Sequence, residues 1–234
     1  MAAQGPQEAA GVSNRSTWEY YDLRSLQRPP GIDNAVAYWQ GLGVPCTSGD
    51  VAAEAAEVEK LLRSLPPATF LDVGCGPGTF TGMLAGRGVA LDQSANAVAR
   101  VARDHEHAVP IRGDAMALPF AAGSFDRALV SHLYGLLLPD EAGVLMDETL
   151  RIAPEVLILD AGRPDGVASE EWQDRTLPDG SAHRVFRRHF KASELTSEVG
   201  GQAVFAGSFY VMVLAGVEVA GAVSRCSGRW RSPR

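Results

Sequence analysis

Leu71-Asp72-Val73-Gly74-Cys75-Gly76-Pro77-Gly78-Thr79-Phe80 reads as a buried strand, a glycine-rich turn and the start of a helix. The glycines fall as Gly-x-Gly-x-Gly, with the acid Asp72 two residues ahead of the first. Glycine reaches positive φ and lets a ligand come close to the backbone. The turn therefore makes a ligand shelf at the C-terminal edge of a parallel sheet. A dinucleotide fingerprint would place its third glycine one residue later, as Gly-x-Gly-x-x-Gly.

Three further blocks extend this pattern. Val89-Ala90-Leu91-Asp92 is a second apolar strand ending in an acid, eighteen residues beyond Gly74 and suited to ribose hydroxyls. Gly113-Asp114-Ala115-Met116-Ala117-Leu118-Pro119-Phe120 follows a third short strand, and Phe125-Asp126-Arg127-Ala128-Leu129-Val130 opens a fourth. Strands are predicted near 69–74, 88–92, 109–112, 126–131 and 155–160, and helices at 78–85, 94–104 and 140–152. Alternation of this kind is the doubly wound pattern of a parallel sheet. Ser208 to Val217 is apolar and β-branched and reads as a late strand. Ahead of the first strand, Trp18 to Leu26 and Asp33 to Gln40 read as short helices, separated by Arg28-Pro29-Pro30-Gly31. Asp50 is the expected N-cap of a helix over Val51 to Ser64, which ends at Pro66-Pro67.

In the order and spacing of these four blocks the chain resembles the class I S-adenosylmethionine-dependent methyltransferases, of the small single-domain kind typified by ubiquinone-biosynthesis enzymes. The resemblance is strongest over residues 66–160. It implies a Rossmann-like α/β fold with a mostly parallel seven-stranded sheet, helices on both faces and a final hairpin that sets an antiparallel strand in the sheet. It also implies S-adenosylmethionine as cofactor and S-adenosylhomocysteine as product. Carried onto this chain, Gly74, Cys75, Gly76 and Gly78 pass under the amino acid and ribose of the cofactor. Asp72 meets the ammonium group, and Asp92 accepts from the two ribose hydroxyls. Asp114 and Ala115 bond the adenine edge, Gln93 and Met116 pack on its faces, and Ser131 lines the methyl-donor end. Each acid also has a plainer reading: Asp72 as a turn residue, Asp92 as the cap of the helix beginning at Ser94, Asp114 as a surface acid. The four blocks together favour the cofactor.

For the acceptor, His132 is the candidate base. It stands just past the fourth strand in Val130-Ser131-His132-Leu133-Tyr134, where ligands approach an open α/β sheet, and imidazole suits proton removal near neutrality. Packing with one structural hydrogen bond is the alternative for His132, and Tyr134 is a lesser candidate for contact with the substrate. After the fifth strand, residues 162–192 form an insertion expected to act as a lid. Pro178-Asp179-Gly180 marks a turn, and His183 to Phe190 alternates as a strand. Arg175, His183, Arg184, Arg187, Arg188, His189 and Lys191 make this span basic within a chain of net charge −7. Arginine forks suit carboxylate or phosphate. The segment resembles the Arg-Thr-Leu-x-Asp-Gly region of small antibiotic-biosynthesis methyltransferases, a phosphonate O-methyltransferase among them, where basic residues hold an anionic acceptor. That resemblance implies Arg175 and one of Arg187 or Arg188 as acceptor contacts, with Arg187 preferred. A solvated basic face paired with nearby acids is the alternative for the other basic residues. An N-terminal helix closing over the cofactor would present Tyr21 from the group Trp18, Tyr20 and Tyr21.

Composition sets the outer bounds. A chain of 234 residues, 46% hydrophobic and 21% charged, is long enough for a single well-buried domain. We expect that domain over residues 17–222, between a loose arm at 1–16 and a basic tail at 223–234. The acidic balance argues against nonspecific binding to nucleic acid or membrane. No apolar run is long enough to span a bilayer, and the Met1 segment, lacking a basic start and an apolar core, is not expected to act as a signal peptide. Cys46, Cys75 and Cys226 are too scattered for a metal or disulfide framework. The expectation is a cytoplasmic, metal-free monomer or homodimer that methylates a small molecule, most simply on oxygen. N-methylation, cofactor-dependent cyclisation and a binding protein that has lost methyl transfer remain the alternatives.

Overall fold

The computed structural model describes residues 15–25 and 32–216. The expected arm, the Pro29-Pro30 break and the basic tail lie outside the described residues. Helices α1 (Arg15–Ser25), α2 (Ile32–Gly41) and α3 (Ser48–Ser64) precede β1 (Ala68–Val73). The chain then runs β2 (Gly86–Asp92), α4 (Ala95–Asp104), β3 (Ala108–Arg112), β4 (Arg127–Ser131), α5 (Pro139–Ile152) and β5 (Glu155–Ala161). After the inserted hairpin β6 (Glu170–Thr176) and β7 (Ala182–Arg188) come α6 (Ala192–Val199), β8 (Gly201–Ala206) and β9 (Tyr210–Ala215).

The main sheet has the order β3-β2-β1-β4-β5-β9-β8, and β6-β7 form a separate two-stranded ribbon. β1 through β5 pair in parallel, while β9 is antiparallel to both β5 and β8. The seven strands, the late strand and the final antiparallel hairpin are those expected. The strand order reverses between β1 and β4, so the crevice beyond their C-terminal ends is where a doubly wound sheet takes its ligand.

Side-chain alternation builds a core on each face of the sheet. Leu71, Val73, Ala128, Val130, Val156 and Ile158 face the core completed by Leu145 and Ile152 of α5 and Leu195 of α6. Phe70, Ala90, Leu129, Leu157 and Leu159 face the opposite way, onto Val58 and Leu62 of α3 and Val101 of α4. Burying side chains such as these contributes about 1.5–3 kcal/mol each. α2 adds a smaller cluster of Val36 and Trp39 with Val51, Ala161 and Phe209. α1 seats Tyr20 on Leu177 and Val185 of the ribbon.

Two local expectations are corrected. The helix predicted over 78–85 is only a single 3₁₀ turn, Thr81–Met83, because β2 already begins at Gly86. Gly78, Gly82 and Pro77 also disfavour a helix there, and the ring of His105 from the end of α4 fills the space beside Gly78 and Gly82. The N-cap of α3 is Thr47 rather than Asp50. Asp50 is instead the acid of a capping box, accepting the Thr47 N–H at 2.8 Å while its own N–H donates to Thr47 Oγ1 at 3.3 Å.

Candidate functional site: a cofactor crevice and an acceptor pocket under a hairpin

The glycine turn leaves β1 with all three glycines at positive φ: Gly74 at 67°, Gly76 at 52° and Gly78 at 88°. They serve different ends. A Cβ on Gly74 would meet Leu133 Cδ2 at 2.8 Å, and one on Gly78 would meet the His105 ring at 2.6 Å. A Cβ on Gly76 would meet nothing within 4 Å. Gly74 and Gly78 therefore admit protein side chains, and Gly76 alone of the three leaves an open shelf.

Two acids frame that shelf. Asp92, at the end of β2, accepts the Gly76 N–H on Oδ2 at 2.9 Å and the Ser94 N–H on Oδ1 at 2.8 Å. Each oxygen keeps a further lone pair for a ligand hydroxyl. Burial raises the Asp92 carboxyl above the usual range, and the charge of Asp22 on α1 adds to the rise. Asp72 is fully buried; its Oδ2 accepts from Thr81 Oγ1 at 2.5 Å, and its Oδ1 has no hydrogen-bond partner among the described residues. Burial, with Asp92 nearby, pushes this carboxyl up to about 7 against the Thr81 hydrogen bond. A buried carboxyl oxygen without a partner is costly. Cys75 is buried in the same turn, its Sγ 3.5 Å from Gly76 O.

Gln93, Arg112, Gly113 and Asp114 line an open pocket of about 350 Å³ beside Asp92. Asp114 Oδ1 accepts the Met116 N–H at 2.9 Å, which shapes the turn carrying Ala115. Ala115 and Met116 are half-buried against the core. The shelf, Asp92 and the pocket lie side by side at the ends of β1, β2 and β3.

The residues expected at the acceptor end lie past β4 and β5. Ser131 is buried at the end of β4. His132 follows with φ 51°, the one non-glycine residue at positive φ among the described residues. Its N–H donates to Leu159 O at 2.8 Å. Its ring sits between those of Phe80 (5.7 Å) and Tyr210 (5.8 Å), with Nδ1 3.8 Å from Asp160 Oδ1. Asp160, fully buried, also accepts from Gly135 N (2.7 Å), Ala161 N (2.7 Å) and Arg187 Nη2 (3.0 Å). Burial alone would raise the Asp160 carboxyl, but Arg187, His132 and the Gly135 N–H hold it down to about 2.

Arg187 comes from β7. Burial would lower its pKa, yet Asp160, Tyr21 and Tyr38 outweigh that and raise it. Tyr38 of α2 has its hydroxyl 2.5 Å from His189 Nε2 and accepts from Gln173 Nε2 at 3.4 Å, with Arg175 stacked over its ring at 5.0 Å. Arg175 also donates to Gln173 Oε1. The structure thus brings His132, Arg175, Arg187 and Tyr21 to one region. It does not bring Tyr134: that hydroxyl donates to Glu198 Oε1 at 2.7 Å, and Arg188 holds the same carboxylate at 2.9 and 2.6 Å. Strand alternation turns Arg187 inward toward Asp160 and Arg188 toward Glu198 of α6. Asp160 and Tyr38 were not singled out from sequence, and His189 was read only as one of the basic residues of the insertion, whereas burial lowers its pKa to about 4. Asp160 carried a readable signal, since it ends an apolar strand as Asp92 does. Tyr38 and His189 are 151 residues apart, and neither carries a local signature.

Comparison with known proteins agrees with this geometry. Residues 71–153 match the family described as a methyltransferase domain. No curated protein matches the chain. Among solved structures, a complex of DhpI with SAH is similar at a TM-score of 0.62 and 20% identity, covering 88% of this chain and 98% of that one. A complex of DhpI with SAM and HEP gives 0.61 and 21%, covering 86% and 95%. The 1,6-didemethyltoxoflavin-N1-methyltransferase of Burkholderia thailandensis gives 0.51 and 20%, covering 90% and 92%. At these identities the structural likeness carries the fold, and the sequence match carries the methyltransferase domain. Together with a crevice whose residues fit S-adenosylmethionine, they show a methyltransferase domain over residues 71–153 within a chain of the class I methyltransferase fold.

Proposed function

We propose that the enzyme methylates an oxygen of a small anionic molecule of secondary metabolism, antibiotic biosynthesis included. The observation that carries this reading is the juxtaposition of His132, beside a buried ionised carboxylate, with the basic ribbon face that presents Arg175 and Arg187. When bound, S-adenosylmethionine supplies a methyl group on a sulfonium, and breaking that S–C bond leaves the electron pair on sulfur as S-adenosylhomocysteine. The protein's part is to hold the acceptor in line, exclude water and take up a proton. His132 Nε2 receives the proton of an acceptor hydroxyl while that oxygen's lone pair forms the new bond to carbon. Arg187 is committed to Asp160, so Arg175, half-buried and stacked on Tyr38, is the guanidinium we assign to the acceptor's anionic group. Tyr21 closes the pocket from α1. In the cofactor crevice, Asp72 faces the ammonium, Gly76 the chain beneath it, Asp92 the ribose, and Asp114, Ala115, Gln93 and Met116 the adenine.

N-methylation is the second reading, favoured by the likeness to the toxoflavin-pathway N1-methyltransferase. A panel of hydroxy acids, phenols, phosphonates and amines, incubated with enzyme and S-adenosylmethionine and read by mass spectrometry, separates the two. The proposal expects products that gain one methyl on oxygen. It also expects Arg175→Ala to cut turnover of the anionic acceptor at least tenfold, with S-adenosylhomocysteine affinity unchanged. Methylation confined to amines, or full turnover by the Arg175 variant, contradicts it.

A further inference from the structure

His132, with φ 51°, occupies a backbone conformation that is strained for any residue with a side chain and persists only where its surroundings enforce it. The surroundings here are unusually complete. Its N–H is held by Leu159 O, its ring is flanked by two aromatic rings, and its Nδ1 is turned to Asp160. With Nδ1 toward a carboxylate, Nε2 is the nitrogen left to face the open side, where the side chain is 34% exposed.

Asp160 is in turn locked. The Gly135 and Ala161 amides each donate to one of its oxygens. Gly135 has no room for a side chain, because a Cβ there would lie 2.8 Å from Asp160 Oδ1 and 2.9 Å from Arg188 O. Behind Asp160 stands Arg187, within side-chain hydrogen-bonding reach of Tyr38. Tyr38 meets His189 Nε2, whose other ring nitrogen lies 3.1 Å from Ala168 O. A carbonyl can only accept, so His189 Nδ1 carries the proton and its Nε2 accepts from Tyr38. A single polar chain thus runs from the carbonyl of Ala168 through β7 and α2 to Asp160 and ends at His132.

We infer that Asp160, buttressed by Arg187, is a positioning residue that fixes His132 as the Nδ1–H tautomer and aims the Nε2 lone pair at an acceptor hydroxyl. This rests on the reading of His132 as proton acceptor. It narrows the acceptor to molecules whose reacting group carries a proton, such as a phenol, enol or alcohol, rather than a carboxylate or phosphonate oxygen already ionised. At 3.8 Å the pair is short of a hydrogen bond, and the inference requires that distance to close when the site is filled.

The test is nitrogen-15 NMR of the imidazoles in wild-type protein saturated with S-adenosylhomocysteine, with His132 assigned by its loss in His132→Gln. At a pH where the ring is neutral, the inference expects an Nδ1-protonated, Nε2-unprotonated signature for His132. It expects Asp160→Asn, with unchanged circular dichroism and S-adenosylhomocysteine affinity, to abolish that preference. An Nε2–H tautomer in the wild type overturns the inference even if Asp160→Asn fails to fold, and so does an unchanged tautomer in a folded Asp160→Asn. The base reading fails separately, if His132→Gln turns over a hydroxyl acceptor at the wild-type rate.

Discussion

Asp72 and His189 are buried groups that titrate in one pH window with opposite signs. Burial raises Asp72 from 3.8 to about 7, so the folded state keeps a proton that the unfolded chain releases. Stability from this group is full below about 4 and falls as pH rises toward 7. Burial, with the Arg187 charge, lowers His189 from 6.5 to about 4. Its contribution is full above 6.5 and is lost as pH falls toward 4. The two terms are of similar size and nearly cancel in the wild type. Asp72→Asn should therefore leave stability climbing with pH between about 4.5 and 6.5, and His189→Gln should leave it declining, each by a few kcal/mol across the window. Urea unfolding at three pH values checks this, and parallel slopes in all three proteins would refute it. Of the turn glycines, Gly78→Ala should destabilise most, since it adds a contact with His105 to a φ of 88° that costs about 1–2 kcal/mol. Gly76→Ala should fold yet bind S-adenosylhomocysteine at least tenfold more weakly, because its methyl enters the open shelf; thermal melts and calorimetry separate the two. Asp72, Asp92 and the glycines were legible because they lie within one short motif. Their separate duties were not, because Leu133 and His105 come from other elements.

At the scale of elements, strands read more reliably than helix ends. β1 to β5 and β9 follow from apolar runs bounded by turns, but the helix expected after the glycine turn is a single 3₁₀ turn, because eight residues had to reach from Gly78 to β2. The insertion expected to act as a lid is an antiparallel ribbon whose register sets Arg175 opposite His183 and Glu171 opposite Arg187, and that register decides which arginine turns inward. Glu54 shows what sequence could not supply. From α3 its carboxylate accepts the N–H groups of Ser208 (2.8 Å), Phe209 (2.8 Å) and Tyr210 (3.1 Å). It thereby pins the β8–β9 turn that carries Tyr210 against His132. Hydrogen bonds to a charged group contribute about 1.5–3 kcal/mol, so Glu54→Ala should cost about 2–3 kcal/mol, with Glu54→Gln recovering part of the loss. Equilibrium denaturation measures it; a loss within 0.5 kcal/mol, roughly that of a surface substitution, would show that the turn does not depend on Glu54.

At the scale of the whole molecule, the sheet order brings the site together. Reversal between β1 and β4 opens one crevice; β1 and β2 end on the side proposed for the cofactor, and β4 and β5 end on the side proposed for the acceptor. α1, which packs on both β7 and α4, spans the two. Among the described residues no helix is long and apolar enough to cross a membrane, and no cluster of His, Cys, Asp and Glu could hold a metal ion. The glycine turn and its acids were read from four blocks in order and from the family resemblance those blocks carry. The residues proposed for the acceptor come from α2, β4, β5 and the ribbon, and need the fold before they can be seen together. The central claim is that the glycine turn and Asp92 form an S-adenosylmethionine site. Calorimetric titration of the purified protein with S-adenosylmethionine and S-adenosylhomocysteine, beside an Asp92→Ala variant of unchanged circular dichroism, tests it most directly. Saturable binding of both by the wild type, at least tenfold weaker in the variant, is the predicted result; folded wild-type protein that binds neither would contradict it.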